Sequence, residues 1–277
     1  MVSKGTFDTY IIIFEDGDIK SMKKEVKIQI GAEGIKAAFV YLIITVIYTL
    51  LVMNVDKAPI GPNDTVVGFS KINGKMAGIF GYNSLFDKIT DVAMLIAILV
   101  AAGFAVLGLI QLVKGKSLFK VDKKIYGLAL VYVVVMVLYV FFDKVPLNYR
   151  PVLVPGETEL EASFPSTHTM VICTILSTAV LFWRKVFEGE GKYVKDVSVK
   201  NLDEKKGAAS SVFISGDRAK LRKGLETCAR FIMFVAVIGR ILAGVHWITD
   251  ILGGLLISAT ITEFYSALFI GKTEEAD

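Results

Sequence analysis

Two cysteines and two histidines are all that this 277-residue sequence holds of either. Cys173 and Cys228 fall in or beside apolar runs, so they form neither a disulfide framework nor a thiolate metal cluster. They read as small buried apolar residues. No group of aspartates and glutamates suggests a metal site either. Charged residues are sparse, at 21%, and their placement matters more than the net charge of +4. No repeat of fixed period occurs, and nothing marks a second domain. The first apolar run lies too far from the N-terminus, and is too long, for a cleaved signal peptide.

Hydrophobic residues, in contrast, make up 54% of the chain, and the mean hydropathy is +0.59. That is too apolar for an ordinary soluble domain and implies an all-α, polytopic membrane protein. Six runs are long enough to cross a bilayer: residues 37–55, 92–113, 125–142, 162–183, 227–243 and 245–270. They are expected to form one bundle, a single domain over residues 1–277. Residues 1–35 precede the first span, and 22–35 could form a short interfacial helix. Residues 56–88 read as a loop. Residues 184–225 are a long charged connector, flexible around 205–215, and 271–277 are a short acidic tail. Counting Lys and Arg by side gives 23 against 7, with Arg230 left inside a span. The positive-inside rule then puts both termini in the cytoplasm. The basic residues between 185 and 223 fit that rule and need no further function.

The polar residues with chemistry sit at the opposite face. Residues 239–250, GRILAGVHWITD, place Arg240, His246 and Asp250 in an otherwise apolar region, which marks them as functional candidates. His246 and Asp250 are four apart, one helical turn, so the carboxylate can hold one imidazole nitrogen and leave the other aimed outward. Pro165, Ser166, Thr167 and His168 open the fourth span, and Lys144 and Arg150 lie in the loop before it. Both histidines of the chain belong to this set. Lys144, Arg150 and Arg240 offer fixed positive charge and donors suited to phosphate oxygens. Ser166 and Thr167 sit at a helix N-terminus, a ready anion site. Two histidines can divide a displacement, one attacking phosphorus and the other protonating the departing oxygen.

These residues resemble the type 2 phosphatidic acid phosphatase family, which shares its site with the vanadium haloperoxidases. That family has Lys, six residues, Arg-Pro; then Pro-Ser-Gly-His; then Ser-Arg, five residues, His, three residues, Asp. Here the third motif is Gly239-Arg240, five residues, His246, three residues, Asp250. The second is Pro165-Ser166-Thr167-His168, and the first is Lys144, five residues, Arg150-Pro151. Three departures stand out: Lys144 is one residue closer to the Arg-Pro, Thr167 replaces glycine, and Gly239 replaces serine. On a helix the shorter spacing would turn the lysine by about 100°.

The resemblance implies a membrane phosphatase acting on a lipid phosphate or diphosphate, such as undecaprenyl diphosphate, phosphatidylglycerophosphate or phosphatidic acid. It makes His246 the nucleophile and Asp250 its orienter. His168 becomes the general acid and later the base that activates water. Lys144, Arg150, Ser166, Thr167 and Arg240 bind the phosphate, with no metal ion or other cofactor. The compact layout resembles bacterial members, with the site at the outer face of the plasma membrane. Its partners would be the lipid phosphate and membrane lipids. No nucleic acid or protein partner is indicated. A phosphotransferase would use the same intermediate, and a binding or transport protein could keep the same scaffold.

The remaining polar residues have plainer readings. Glu157, Glu159 and Glu161 are expected on a solvated loop, and Asp143 as an interfacial charge. Glu263 reaches headgroups from the inner end of the last span, and Trp247 is an interfacial anchor.

Overall fold

The computed structural model describes the backbone of residues 16–198 and 204–271, and the side chains of residues 34–187 and 218–271. The first fifteen residues and the tail beyond Gly271 lie outside this range. Among the described residues, seven α-helices dominate: α1 (Asp16–Asn54), α2 (Ser70–Ile79), α3 (Ser84–Gly115), α4 (Lys123–Lys144), α5 (Thr167–Ser198), α6 (Glu204–Ala243) and α7 (Ile248–Tyr265). A π-helical turn, Ser266–Ile270, continues α7. Two-residue strands β1 (Ala58–Pro59) and β2 (Val66–Val67) pair antiparallel between α1 and α2.

Among the described residues, five segments are long and apolar enough to cross a membrane: Gly34–Asn54, Ser84–Gly115, Lys123–Lys144, Thr167–Phe187 and Ile248–Ile270. The run 227–243 lies within α6, but Arg230 and Arg240 interrupt it and Glu226 borders it. Five spans therefore stand on length and apolarity alone, where the sequence suggested six.

Several boundaries differ from expectation. Residues 22–35 are not a separate interfacial helix but part of the continuous α1. Residues 56–88 are not a plain loop, because they hold α2 and the first turn of α3. The fourth span starts at Thr167 rather than 162, after a cis Phe164–Pro165 bond. The connector is helical over most of its length, including the backbone of 205–215. Helix formers such as Lys, Glu and Ala carry the helices through it, and five interior glycines (Gly189, Gly191, Gly207, Gly216 and Gly224) do not stop them.

Helix α5 is the centre of the bundle, packed against α3, α4, α6 and α7. Met170, Ile172, Leu176 and Ala179 on it are almost wholly buried. Phe182 meets Phe104 of α3 edge to face, with centroids 4.9 Å apart. The outer faces of α1, α3 and α4 remain apolar and exposed, as at Ile43, Leu99, Val113 and Val137. In lipid such faces cost nothing, and helices associate through close packing and polar contacts instead. One such contact is the buried pair Thr45 Oγ1 and Thr260 Oγ1, 2.8 Å apart, which joins α1 to α7.

One end of the bundle collects the starts of α3, α5 and α7 with the ends of α4 and α6. Asn83 organises it. Its side chain caps α3 by accepting from the backbone N–H of Leu85 and Phe86. Its own N–H donates to the Ala243 carbonyl at 3.0 Å, which locks the start of α3 to the end of α6. Gly244 then reverses the chain at φ +66°. A side chain there would run into the backbone of Phe80 and Gly81.

Candidate active site

The α6–α7 turn delivers His246, which is only 7% exposed. Its Nδ1 lies 3.0 Å from the Ser163 carbonyl oxygen and 3.1 Å from Ser163 Oγ. Both oxygens accept from an Nδ1–H, so Nε2 holds the lone pair. Burial first, and then the nearby Arg240, Arg150 and His168, hold this imidazole well below its ordinary pKa. A neutral ring with Nε2 free is the nucleophilic form.

Asp250 does not touch His246 directly, since Oδ2 stands 4.0 Å from Nδ1. The Ser163 hydroxyl lies between them and donates to Asp250 Oδ2. The carboxylate also accepts from Trp247 N–H at 3.0 Å and Asn148 Nδ2 at 3.2 Å. His246, Ser163 and Asp250 thus form a relay rather than the direct pair suggested by the i, i+4 spacing. That spacing pairs side chains only within a helix, and His246 precedes α7, which starts at Ile248 after the Trp247 cap. The acidic first-turn position of Asp250 also favours the start of α7.

Arg240 ends α6 and is fully buried. One terminal nitrogen donates to Asp87 Oδ1 and, at 3.1 Å, to Thr90 Oγ1, both on α3. Its Nε and second terminal nitrogen are buried with no hydrogen-bond partner. Arg150 pairs with Glu161 across a short antiparallel bridge, and its Nε is likewise buried and unpartnered. His168, in the first turn of α5, places Nε2 2.9 Å from Asp91 Oδ1. Its Nδ1 is buried without a partner. His246 Nε2 completes this set of buried polar atoms. The sequence-predicted core of Arg150, His168, Arg240 and His246 is therefore brought together, each with a reactive or donor edge uncommitted.

Three predicted residues stand differently. Lys144 is the last residue of α4, its side chain 77% exposed and paired with Asp143 at 3.0 Å. It makes no contact with the site, because α4 stays helical to this position and the short spacing turns the lysine away. Ser166 is buried and internally committed. Its N–H donates to the Asp250 carbonyl at 2.9 Å, and its Oγ accepts from Thr169 Oγ1 at 3.0 Å. Thr167 is half-buried at the start of α5. Asp143 is exposed, in keeping with an interfacial charge.

Other readings change. Glu161 is no free loop charge, since it holds Arg150. Trp247 is no interfacial anchor. It is 2% exposed, and its indole donates to the Tyr149 carbonyl at 2.7 Å, fastening the Arg150 loop to the α6–α7 turn. The residues that sequence reasoning missed are Asp87, Thr90, Asp91, Asn148 and Ser163. Asp87 and Asp91, four apart at the edge of an apolar run, were the available signal. Asn148 and Ser163 lay in a polar loop without any.

Thr90 explains one departure from the resembling family. A Cβ on Gly239 would approach Thr90 Cγ2 to 2.6 Å. Thr90 is itself fully buried, and its hydroxyl donates to the Asp87 carbonyl at 2.7 Å while accepting from Arg240. Its hydroxyl stands against Arg240, and its methyl fills the space beside Gly239. Gly239→Ser is expected to destabilise the protein by about 1–3 kcal/mol through overpacking. Adding Thr90→Ser, which removes the clashing methyl, should restore the melting temperature. A double variant no more stable than Gly239→Ser would refute the exchange.

A shallow depression with room for little more than a water molecule adjoins the site. It is bordered by Met76, Ala77, Phe80, Ile241, Ile248 and Ile251 beside His246. Among the described residues, no three His, Cys, Asp or Glu side chains gather as a metal site.

No curated protein matches the chain. Among solved structures, it is similar to a transmembrane PAP2-type phosphatidylglycerolphosphate phosphatase from Bacillus subtilis, at 18% identity. That alignment covers 70% of this chain and 90% of the other, with a TM-score of 0.35. The PAP2 superfamily profile matches residues 125–273. This match spans more than half of the sequence and takes in Arg150, His168, Arg240, His246 and Asp250, and on that ground the chain belongs to the PAP2 superfamily.

Proposed function

We propose that this protein is an integral membrane phosphatase that hydrolyses a lipid phosphate or diphosphate through a phosphohistidine on His246. The observation behind this reading is the set of buried, unpartnered polar atoms on Arg150, His168, Arg240 and His246. Buried polar groups are normally satisfied. Here two arginine edges, an acid–base nitrogen and a nucleophilic nitrogen share one site, a combination suited to a tetrahedral oxyanion.

The first half-reaction follows from the geometry. His246 Nε2 attacks phosphorus as the bond to the leaving oxygen breaks, and a proton from His168 Nδ1 passes to that oxygen. His246 becomes cationic, and its Nδ1–H donates to Ser163, whose hydroxyl donates in turn to Asp250. Arg150 and Arg240 hold the phosphoryl oxygens where negative charge gathers. In the second half-reaction water attacks phosphorus, its proton returns to His168 Nδ1, and the bond to Nε2 breaks.

The exposed apolar faces of α1, α3 and α4, which suit a bilayer, favour a substrate carried in the membrane. We place undecaprenyl diphosphate, phosphatidylglycerophosphate and phosphatidic acid in that class. With 227–243 counted as a span, both termini fall in the cytoplasm and the site on the outer face. A bacterial plasma membrane suits that layout.

The test is phosphate release by the detergent-purified protein from these three lipids and a water-soluble phosphate ester, with and without EDTA. Release that persists in EDTA, with an acid-labile, base-stable phosphoenzyme trapped on quenching, is the expected result. No release from any of the four would sink the hydrolase reading.

A further inference from the structure

The catalytic scheme above leaves unused two acidic residues at the head of α3. Asp87 serves Arg240. Asp91, one turn on, faces His168 instead, with Oδ1 2.9 Å from Nε2. We infer that Asp91 is the positioning residue for the proton shuttle, fixing His168 so that Nδ1 alone exchanges protons with substrate and water. This inference rests on the acid–base role given to His168.

The argument is one of tautomers. A neutral imidazole has one N–H and one lone pair, and the partner of one nitrogen decides the state of the other. Asp91, as a carboxylate, only accepts, so Nε2 must carry hydrogen in both protonation states of the ring. Nδ1 then gains and loses the transferable proton. It is the buried nitrogen with no protein partner, whereas Nε2 is taken. Without Asp91, the neutral ring is free to place its hydrogen on Nδ1, which cannot then accept a proton from water.

The ring's position depends on the same contact. His168 sits in the first turn of α5, and among the described residues its ring is held by Asp91 alone. Asp91 is placed in turn by the Asn83 cap and by the lock between Asn83 and Ala243 that sets α3 against α6. The Asp91 side chain is 60% exposed and that of His168 is 20% exposed. The carboxylate therefore stands at the rim, and exchanging it leaves the packed core intact.

The experiment compares two esters that differ in their need for an acid. Phosphatidic acid releases diacylglycerol, whose alkoxide oxygen requires protonation as it departs; p-nitrophenyl phosphate releases a stable phenolate. Asp91→Asn and Asp91→Ala are expected to lower kcat on phosphatidic acid about 10²-fold, the low end of what a placed general acid contributes. KM should hold, p-nitrophenyl phosphate should lose only severalfold, and Asp91→Glu should recover part of the rate. Equal losses on both esters, or no loss on either, would overturn the inference.

His168→Ala separates this inference from the reading beneath it. If His168→Ala shows the ester-selective loss and Asp91→Asn does not, only the role of Asp91 fails. Equal loss on both esters in His168→Ala removes the acid role, and the inference with it. Absence of turnover by the unaltered protein on both esters does the same.

Discussion

His246→Ala is expected to lower phosphate release at least about 10⁴-fold and to abolish the trapped phosphoenzyme, because it removes the proposed nucleophile itself. The fold should survive. The imidazole's bonds are to Ser163, whose hydroxyl keeps Asp250 as its acceptor, and the main burden of Asp250 is shared by Trp247 and Asn148. Thermal unfolding in detergent, run beside the assay, checks this. A folded His246→Ala protein that still turns over within tenfold of the parent would rule out a phosphohistidine at this position. Ser163→Ala makes the informative companion. It keeps the carbonyl acceptor for Nδ1 but cuts the link to Asp250.

The second large effect concerns Arg240. Replacing it with methionine keeps much of the side chain's volume and removes every donor. The rate is expected to fall about 10³-fold, the scale on which losing a donor to a developing oxyanion is felt. Stability is expected to fall too, by about 3 kcal/mol, because Asp87 and Thr90 lose their buried cation. The two losses can be separated. Adding Asp87→Asn removes the stranded carboxylate and should return most of the melting temperature without returning the rate. If the double variant regains activity along with stability, Arg240 acts on the fold and not on phosphate.

The bundle was legible in the sequence to the extent that bilayer thickness dictates it. Runs of uncharged residues near twenty long marked α1, α3, α4, α5 and α7. Helix ends were less legible, because α3 begins with Ser84, Asp87, Lys88 and Asp91. Polar residues in a first turn look like loop until a cap is seen to satisfy them. The site divided in the same way. His168, His246 and Arg240 announced themselves as costly residues in apolar surroundings, at a spacing that belongs to a family. Ser163 and Asn148 could not, since serine and asparagine in a polar loop are unremarkable until a fold sets them against an aspartate. Lys144 shows the opposite failure. Its spacing nearly fitted, but the helix that carries it points it to the surface.

Each cation around the nucleophile is matched by a carboxylate: Arg240 by Asp87, Arg150 by Glu161, His168 by Asp91. A pocket of unmatched guanidiniums would grip a phosphate dianion tightly at every stage, including after the chemistry is over. Matched ones present oriented donors with little surplus charge, so attraction is greatest where charge builds transiently on the phosphoryl oxygens. Free orthophosphate then leaves at modest cost. On the proposed mechanism the acidic ring around the site is a means of turnover, which would keep the protein from becoming a trap for its own product.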